Sequence, residues 1–530
     1  LHAIGFFLNG EGSDSCNLSA RRDMSFYQDC LGLPHLKPKN MKILLTALAA
    51  VSFLFANGQY TSPDESLNLT LDDLVEDSEG AVVFVDDTYE IYEDITIALS
   101  DTLIIDDASV VIADSVLITI EGGFYCTTSS FTQLNCCDAY YEGFRFEETA
   151  VADIFNTSFL YGGGIQVLTG DFRMEASNVS FQSTGQTTSA ALDLSTGKPK
   201  IINSNFLENE VAAIGSAANS DPAPLIQGCT FNGNVTGNTN RPQVNLGPSG
   251  ADTAIVRQNV FLGNPELTNV GGFSFSQFLN GEGHLVFEDN VVSGNRYGVN
   301  VFGSNITSHI QDNVLQNNNT QNEPNLGGSG ISISGFGENS HVILGNLFEG
   351  NLWGITLLEN AQANLGEIEN PEIGAGGNLF NNNGNGGEIY ALFNNTANTV
   401  YAQGNCWDTS DEDPTLAEAE AVISHVVDDP ELGEVIFDPL GSCSILSTQS
   451  KKVSGLKIYP NPGNGNLYVS AEESLGNIEV IDLSGKRVFQ LNLNQSNSAQ
   501  LDLTQLPDGF YLIRVESATG IQTQKLSILH

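Results

Sequence analysis

The 530-residue chain sets 19 Lys and Arg against 64 Asp and Glu, a net charge of −45, with 41% hydrophobic residues. That balance excludes a general nucleic-acid binder, whose affinity for phosphate comes from Lys and Arg, and weighs against an anionic ligand held by charge alone. The apolar content excludes disorder, and 54 Gly beside 3 Met and 2 Trp suits a turn-rich β protein.

In chain order, residues 1–40 read as an extension upstream of the true start. Met41-Lys42-Ile43 opens a short positive region, Ile43 to Phe55 is a thirteen-residue apolar run, and Ala56-Asn57-Gly58 supplies small residues for cleavage. Residues 41–58 are therefore expected to be a signal peptide, cut between Gly58 and Gln59. The run is shorter than the about 20 apolar residues that span a bilayer, so no transmembrane segment is expected. Residues 59–150 are expected to form a cap and opening coils, with strands across 81–120, and 151–445 a repeat with its closing segment. A polar linker follows at 446–455, then a separate C-terminal body at 456–530. Charge supports that division: the span between residues 59 and 451 holds 7 basic and 53 acidic residues, a net of −46, whereas 451–530 holds seven of each.

The repeat is a motif of the form Asn-aliphatic-large apolar-x-Gly/Asn-Asn. Its first residue is Asn259, Asn290, Asn313, Asn346 and Asn378, with a clipped copy at Asn405 and weaker copies at Ser204–Asn209 and Cys229–Asn234. The second Asn falls at 209, 234, 264, 295, 318, 351 and 383, in steps of 23 to 33 residues. A fixed core with variable surplus marks a solenoid with loops inserted on one side. Period-two stretches such as Gly330-Ile331-Ser332-Ile333-Ser334 supply its strands. The expected fold is all-β, a right-handed parallel β-helix followed by a small Ig-like β-sandwich. The Asn residues are expected to adopt left-handed turns and to bond the equivalent Asn about 4.8 Å along the axis. Phe206, Phe231, Phe261, Phe348 and Phe380 keep interior phase, as core rather than as a sugar-stacking platform. Thr415-Leu416-Ala417-Glu418 reads as a capping box opening a helix to about Val426 that closes the far end.

Asn364-Leu365-Gly366 through Pro371-Glu372-Ile373-Gly374 to Gly377-Asn378-Leu379-Phe380 resembles secreted β-helix proteins of the pectin-lyase-like superfamily. So does Gly404-Asn405-Cys406-Trp407-Asp408, followed by Asp428-Asp429-Pro430 and Phe437-Asp438-Pro439. The resemblance covers roughly 81–445 and implies fold, not activity. In the tail, Leu456-Lys457-Ile458-Tyr459-Pro460-Asn461-Pro462, Ile478 to Val488, Leu506 to Val515 and Lys525 to Ile528 follow in order. They resemble the type A C-terminal sorting domain of the type IX secretion system. This implies passage across an outer membrane, partnership with the secretion machinery and a sorting protease, and release or attachment at the surface.

No catalytic constellation stands out. Arg145, Arg173, Lys198, Lys200, Arg241, Arg257 and Arg296 are scattered over an acidic body that repels polyuronates, with a Debye length of about 8 Å. Asp-Asp pairs occur at 72–73, 86–87, 106–107 and 428–429, outside the main ladder. His284, His309 and His341 precede successive motif copies, either as an edge ladder or as a metal row. Asp408, Asp411, Glu412 and Asp413 form a solvated acidic loop by default, where Ca²⁺ is the one cofactor the sequence allows. In an oxidising compartment Cys126 is expected to pair with Cys136 or Cys137, and Cys406 with Cys443, leaving Cys229 a buried thiol. The expectation is an exported or surface-displayed scaffold that binds glycan or adheres, with extracellular polysaccharide as partner. The alternative is a carbohydrate-active enzyme, a polysaccharide lyase or glycoside hydrolase, on the same fold. Mass spectrometry of the exported protein should find Gln59 as its first residue; any peptide from 1–40 would contradict this start.

Overall fold

The computed structural model describes residues 59–134, 139–183, 189–279, 281–386, 388–407, 414–443, 455–459, 465–482, 487–507, 509–517 and 521–528. Between Gln59 and Cys443 these wind into a right-handed parallel β-helix, each coil passing through three sheets of 14, 14 and 13 strands. One coil runs Val299–Gly303 in the first sheet, Ile306–Gln311 in the second and Val314–Gln316 in the third. Alternation decides which side chains enter. Val299, Val301, Ile306, Ile310 and Leu315 are buried, while Asn300 and Thr307 between them point out.

Two rows of buried asparagine run along the axis. In the first, the side-chain oxygen of Asn290 accepts from the backbone N–H and the amide of Asn259, at 2.9 and 3.0 Å. Asn313, Asn346, Asn378 and Asn405 repeat this onto the preceding coil at 2.8–3.0 Å. Each amide also donates to a backbone carbonyl of the coil before, as Asn313 does to Phe287. Oxygen and N–H₂ are thus both fully used, which is what allows a buried amide. Earlier coils fill the same position with Ser177 and Ser204, whose hydroxyls accept from the backbone N–H of Thr157 and Ser177 at 3.1 Å.

The left-handed residue is not the asparagine. It is the residue before it: Gln258, Asp289 and Asp312 at φ 57°, 55° and 56°, then Gly345, Gly377 and Gly404. That residue turns the corner, and the turn delivers the next N–H inward to the ladder. The second row links Asn209, Asn234, Asn295, Asn318, Asn351 and Asn383, but Asn264 is missing from it. Gly263 is not left-handed, and Asn264 lies exposed, capping the N–H of Glu266. Gln243 takes the vacated position, accepting from the Asn234 amide at 3.0 Å and donating to Asn295 at 2.9 Å.

Inside, Phe206, Phe231 and Phe261 stack at 5.2 and 4.8 Å. Val292 and Leu315 interrupt the column before Phe348, Phe380 and Trp407 resume it at 4.8 Å. Gly272, Gly298, Gly330 and Gly354 stand where this column presses on the first sheet. A Cβ on Gly330 would lie 2.7 Å from Phe348, and one on Gly354 2.8 Å from Phe380.

The opening end is closed by a hairpin, Val82–Val85 with Thr88–Ile91, and by a helix, Leu71–Asp77, that burial periodicity alone did not announce. Its capping box uses Asp73 where the usual signature has Glu, with the Thr70 N–H donating to Asp73 at 2.7 Å. At the closing end the Thr415–Glu418 box is formed, but the helix spans only Leu416–Glu420 and does not reach Val426. Ile423–Ser424 instead pairs with Leu392–Phe393 as the last strand of the first sheet. Cys406 and Cys443 are bonded there, their Cα atoms 5.1 Å apart. Cys126 is a buried free thiol and makes no disulfide, because it faces the core and approaches Thr157. Cys136 and Cys137 lie outside the described residues. Cys229 is likewise free and buried.

The C-terminal body is antiparallel. Asn466–Asp482 pairs with Arg487–Asp502 and, through its second half, with Gly509–Ser517, which pairs with Ile521–Ile528. Register shifts near Leu475 let one strand serve two partners and fold the sheet Ig-like over Leu467, Val469, Ile478, Val480, Ile513 and Val515. The linker residues 446–454 lie outside the described residues.

Asn346→Ala leaves the Asn313 N–H and one Asn313 amide hydrogen without their acceptor and should cost about 3 kcal/mol, whereas Asn264→Ala, at the motif's second Asn but outside both rows, should cost under about 0.5 kcal/mol. Urea unfolding midpoints of the two variants check this.

Candidate functional site

The first sheet broadens along the helix. Its strands hold three residues at Ile95–Ile97 and Ile165–Val167 but six or seven at Gly271–Ser276, Ser329–Gly335 and Trp353–Glu359. In the outward phase of the broad part, Asn245, Ser274, Asn300, Ser332 and Thr356 stand in one register row, of which Ser274 and Thr356 are buried and Asn245, Asn300 and Ser332 half-buried. Asn300 donates to the Ser274 hydroxyl at 3.1 Å, and Ser274 and Ser276 share a hydrogen bond at 2.9 Å. Through the strands 242–246, 271–276, 299–303, 329–335 and 353–359 the single charged residue is Glu359, at a strand end. In a chain of 64 acids this face carries almost no charge.

Aromatic side chains border it. Phe302 points outward beside Val301 and meets Phe278 and Phe336 from the neighbouring coils, ring centroids 4.9 and 5.2 Å apart. Phe278 is 64% exposed and Phe336 40%. Along the other edge Trp353 packs on Tyr390 and Phe393, at 4.7 and 5.2 Å, its indole donating to the Pro324 carbonyl at 3.0 Å. The interior Phe ladder was legible in the sequence and this exterior stripe was overlooked. Its signal was an aromatic in the polar phase of Val299-Asn300-Val301-Phe302.

Earlier on the same face the row is charged. Arg145 donates to Gln166 on the next coil and pairs with Glu147, and Asp193 follows one coil after Gln166. Burial pushes the Asp193 carboxyl above its ordinary range, against the lowering effect of the Ser189 N–H and hydroxyl, which donate to it at 3.0 Å.

The other basic residues do not converge. Arg173 pairs with Asp153 and Glu175, Lys198 with Asp252 at 2.7 Å, and Arg257 with Glu288 at 3.7 Å. Arg241 and Arg296 brace loops, donating to the Ser189 carbonyl and to Asn240. Each Asp-Asp pair has a local duty. Asp73 caps a helix, Asp86 and Asp87 form the left-handed hairpin turn, and Asp107 turns a corner at φ 51°. Asp428 and Asp429 hold the N–H groups of His425 and Glu431.

The three histidines form neither an edge ladder nor a metal row. His284 pairs across the sheet with Thr307, His309 with Val286 and Val342, and His341 with Ser308, so they fall in different columns. His309 faces out; His341 is buried, its Nδ1 2.8 Å from the Ser308 hydroxyl and its Nε2 without a partner. Among the described residues no three His, Cys, Asp or Glu side chains gather as a metal site. Asp408, Asp411, Glu412 and Asp413 lie outside the described residues, as does Gly58. Gln59 is anchored, its amide donating to Thr96 at 3.0 Å.

Residues 457–529 match the secretion system C-terminal sorting domain, and residues 262–415 match the Protein of unknown function (DUF1565) family, a β-helix family. The sorting domain indicates export by type IX secretion to the cell surface or extracellular space. No helix among the described residues is long and apolar enough to cross a membrane. No curated protein matches the chain. Among solved structures, the periplasmic alginate epimerase AlgG is similar at 13% identity and a TM-score of 0.35, over 71% of this chain and 80% of that one. A double mutant of AlgG gives 13% and 0.37, over 72% and 84%.

Burial lowers the His341 imidazole to about 4. Below pH 6.5 the unfolded chain takes up a proton that the folded chain refuses, so stability falls as pH drops from about 6.5 to about 4, by up to about 3 kcal/mol. Comparing unfolding free energies of the wild type and His341→Met across that window should isolate this slope, which the variant lacks.

Proposed function

We propose that the protein is an exported β-helix that acts as a glycan-binding or adhesive scaffold, with the broad part of the first sheet as its binding face. The charge-free outer face carries this reading. A surface with 53 acids in its repeat body would, without selection for another task, show acids here as elsewhere. Side-chain amides and hydroxyls flanked by aromatic rings are the groups that recognise uncharged sugars. The division into signal peptide 41–58, helix body, linker 446–455 and sorting domain belongs to the same proposal: the tail is an address, removed after export, and takes no part in binding.

A second reading, a carbohydrate-active enzyme, draws support from Asp193 alone, a carboxyl of raised affinity for its proton on the same outer face. A panel of neutral and acidic polysaccharides, with and without Ca²⁺, separates the two. The scaffold retains a polysaccharide without releasing products; product release that Asp193→Asn abolishes supports the enzyme.

Deleting Leu456–His530 should leave a folded body trapped in the periplasm, since each coil depends only on its neighbours. Normal delivery of the truncated protein to the surface would contradict the role given to the tail.

A further inference from the structure

Resting on the reading above, we infer that the ligand is an uncharged, unbranched polysaccharide lying along the helix axis, one sugar to each coil. The apolar faces of its sugars rest on Phe278, Phe302 and Phe336, and its hydroxyls meet Asn300 and Ser332, the half-buried members of the adjoining row.

Three observations carry this. The three rings stand on consecutive coils, so the stripe follows the axis rather than crossing it, with centroids 4.9 and 5.2 Å apart. Coils repeat at about 4.8 Å, close to the advance of an extended β-linked pyranose chain. A ligand with that period meets an equivalent surface at each step, whereas a folded protein partner has no reason to. The strands beneath the stripe and its adjoining row, from 242 to 359, carry one charged residue and no Lys or Arg, so they offer no cation to hold a uronate. Phe278 at 64% exposure is also a costly side chain to leave in water without a task. The rings are inclined by 32° and 60° to one another, so they form an apolar rail with edges and faces alternating, not one flat shelf.

The test is calorimetric titration of the full chain with neutral β-linked oligosaccharides from disaccharide to octasaccharide, and with oligouronates, at low and high salt. Affinity for the neutral series should rise with length until about five sugars, one per broad coil, and should not change with salt. Phe302→Ala, and the pair Phe278→Ala with Phe336→Ala, should each lower it about tenfold. Phe84→Ala, at a ring on the opening cap whose exposure lies between those of Phe278 and Phe336, should leave it unchanged. Phe278 and Phe336 are exposed enough that their removal leaves the core intact, which an unchanged thermal midpoint verifies. Neutral glycan binding that survives both stripe variants overturns this inference and leaves the glycan-binding reading standing. Salt-sensitive binding of oligouronates alone overturns the neutral class. No binding to any polysaccharide, including the broad panel above, overturns the parent reading, and this inference with it.

Discussion

Everything in the helix body depends on one spacing, the about 4.8 Å between hydrogen-bonded coils. A buried amide can meet all its donors and acceptors at that distance only if its copy on the next coil stands directly above it. Asn290, Asn313, Asn346, Asn378 and Asn405 do so, each accepting two hydrogen bonds from the coil before, while Asn259 accepts one from the Cys229 N–H. Once the row exists, a slip of one residue in any coil would strand a chain of buried polar groups. The ladder therefore fixes register for all three sheets. It also explains why loops of any length are accepted between the third and first sheets: they lie outside the row and leave its register alone.

Two features follow from the same constraint. Repetition stacks Phe on Phe inside, and the stack presses on the first sheet, so Gly272, Gly298, Gly330 and Gly354 give it room. With register held by the corners and cohesion by the interior, outward side chains of the first sheet such as Asn300, Phe302 and Ser332 are not needed to set the register. They are free to answer to something outside. There the acidity of the chain stops, and polar uncharged groups and aromatic rings replace it. The histidine that entered the core, His341, shows the opposite case, a group held neutral because the interior offers its charge nothing.

Much of this was legible in the sequence because the ladder Asn recur with the coil. The period and the interior Phe follow from that recurrence, and the closing capping box from its local Thr415-x-x-Glu418 signature. What escaped was set by a single coil's departure from it. Asn264 carries the motif yet leaves the row, since the turn before it is not left-handed, and Gln243 reaches in from another sheet to replace it. The histidines illustrate the same limit. Counting back from each motif Asn places them four to six residues away, and that inconstant offset sends His341 inward and His309 outward. The exterior stripe was hidden for a further reason: Phe278 and Phe336 lie at corners, where strand alternation no longer says which way a side chain points.

The central claim is that the broad outer face of the first sheet is where this protein meets its ligand. Hydrogen exchange of the full chain, with and without a bound neutral hexasaccharide, tests it most directly. The account predicts added protection confined to residues 271–276, 299–303 and 329–335 and the loops carrying Phe278 and Phe336. Protection appearing instead on the second sheet, on the opening coils around Arg145, or on the C-terminal body would contradict it.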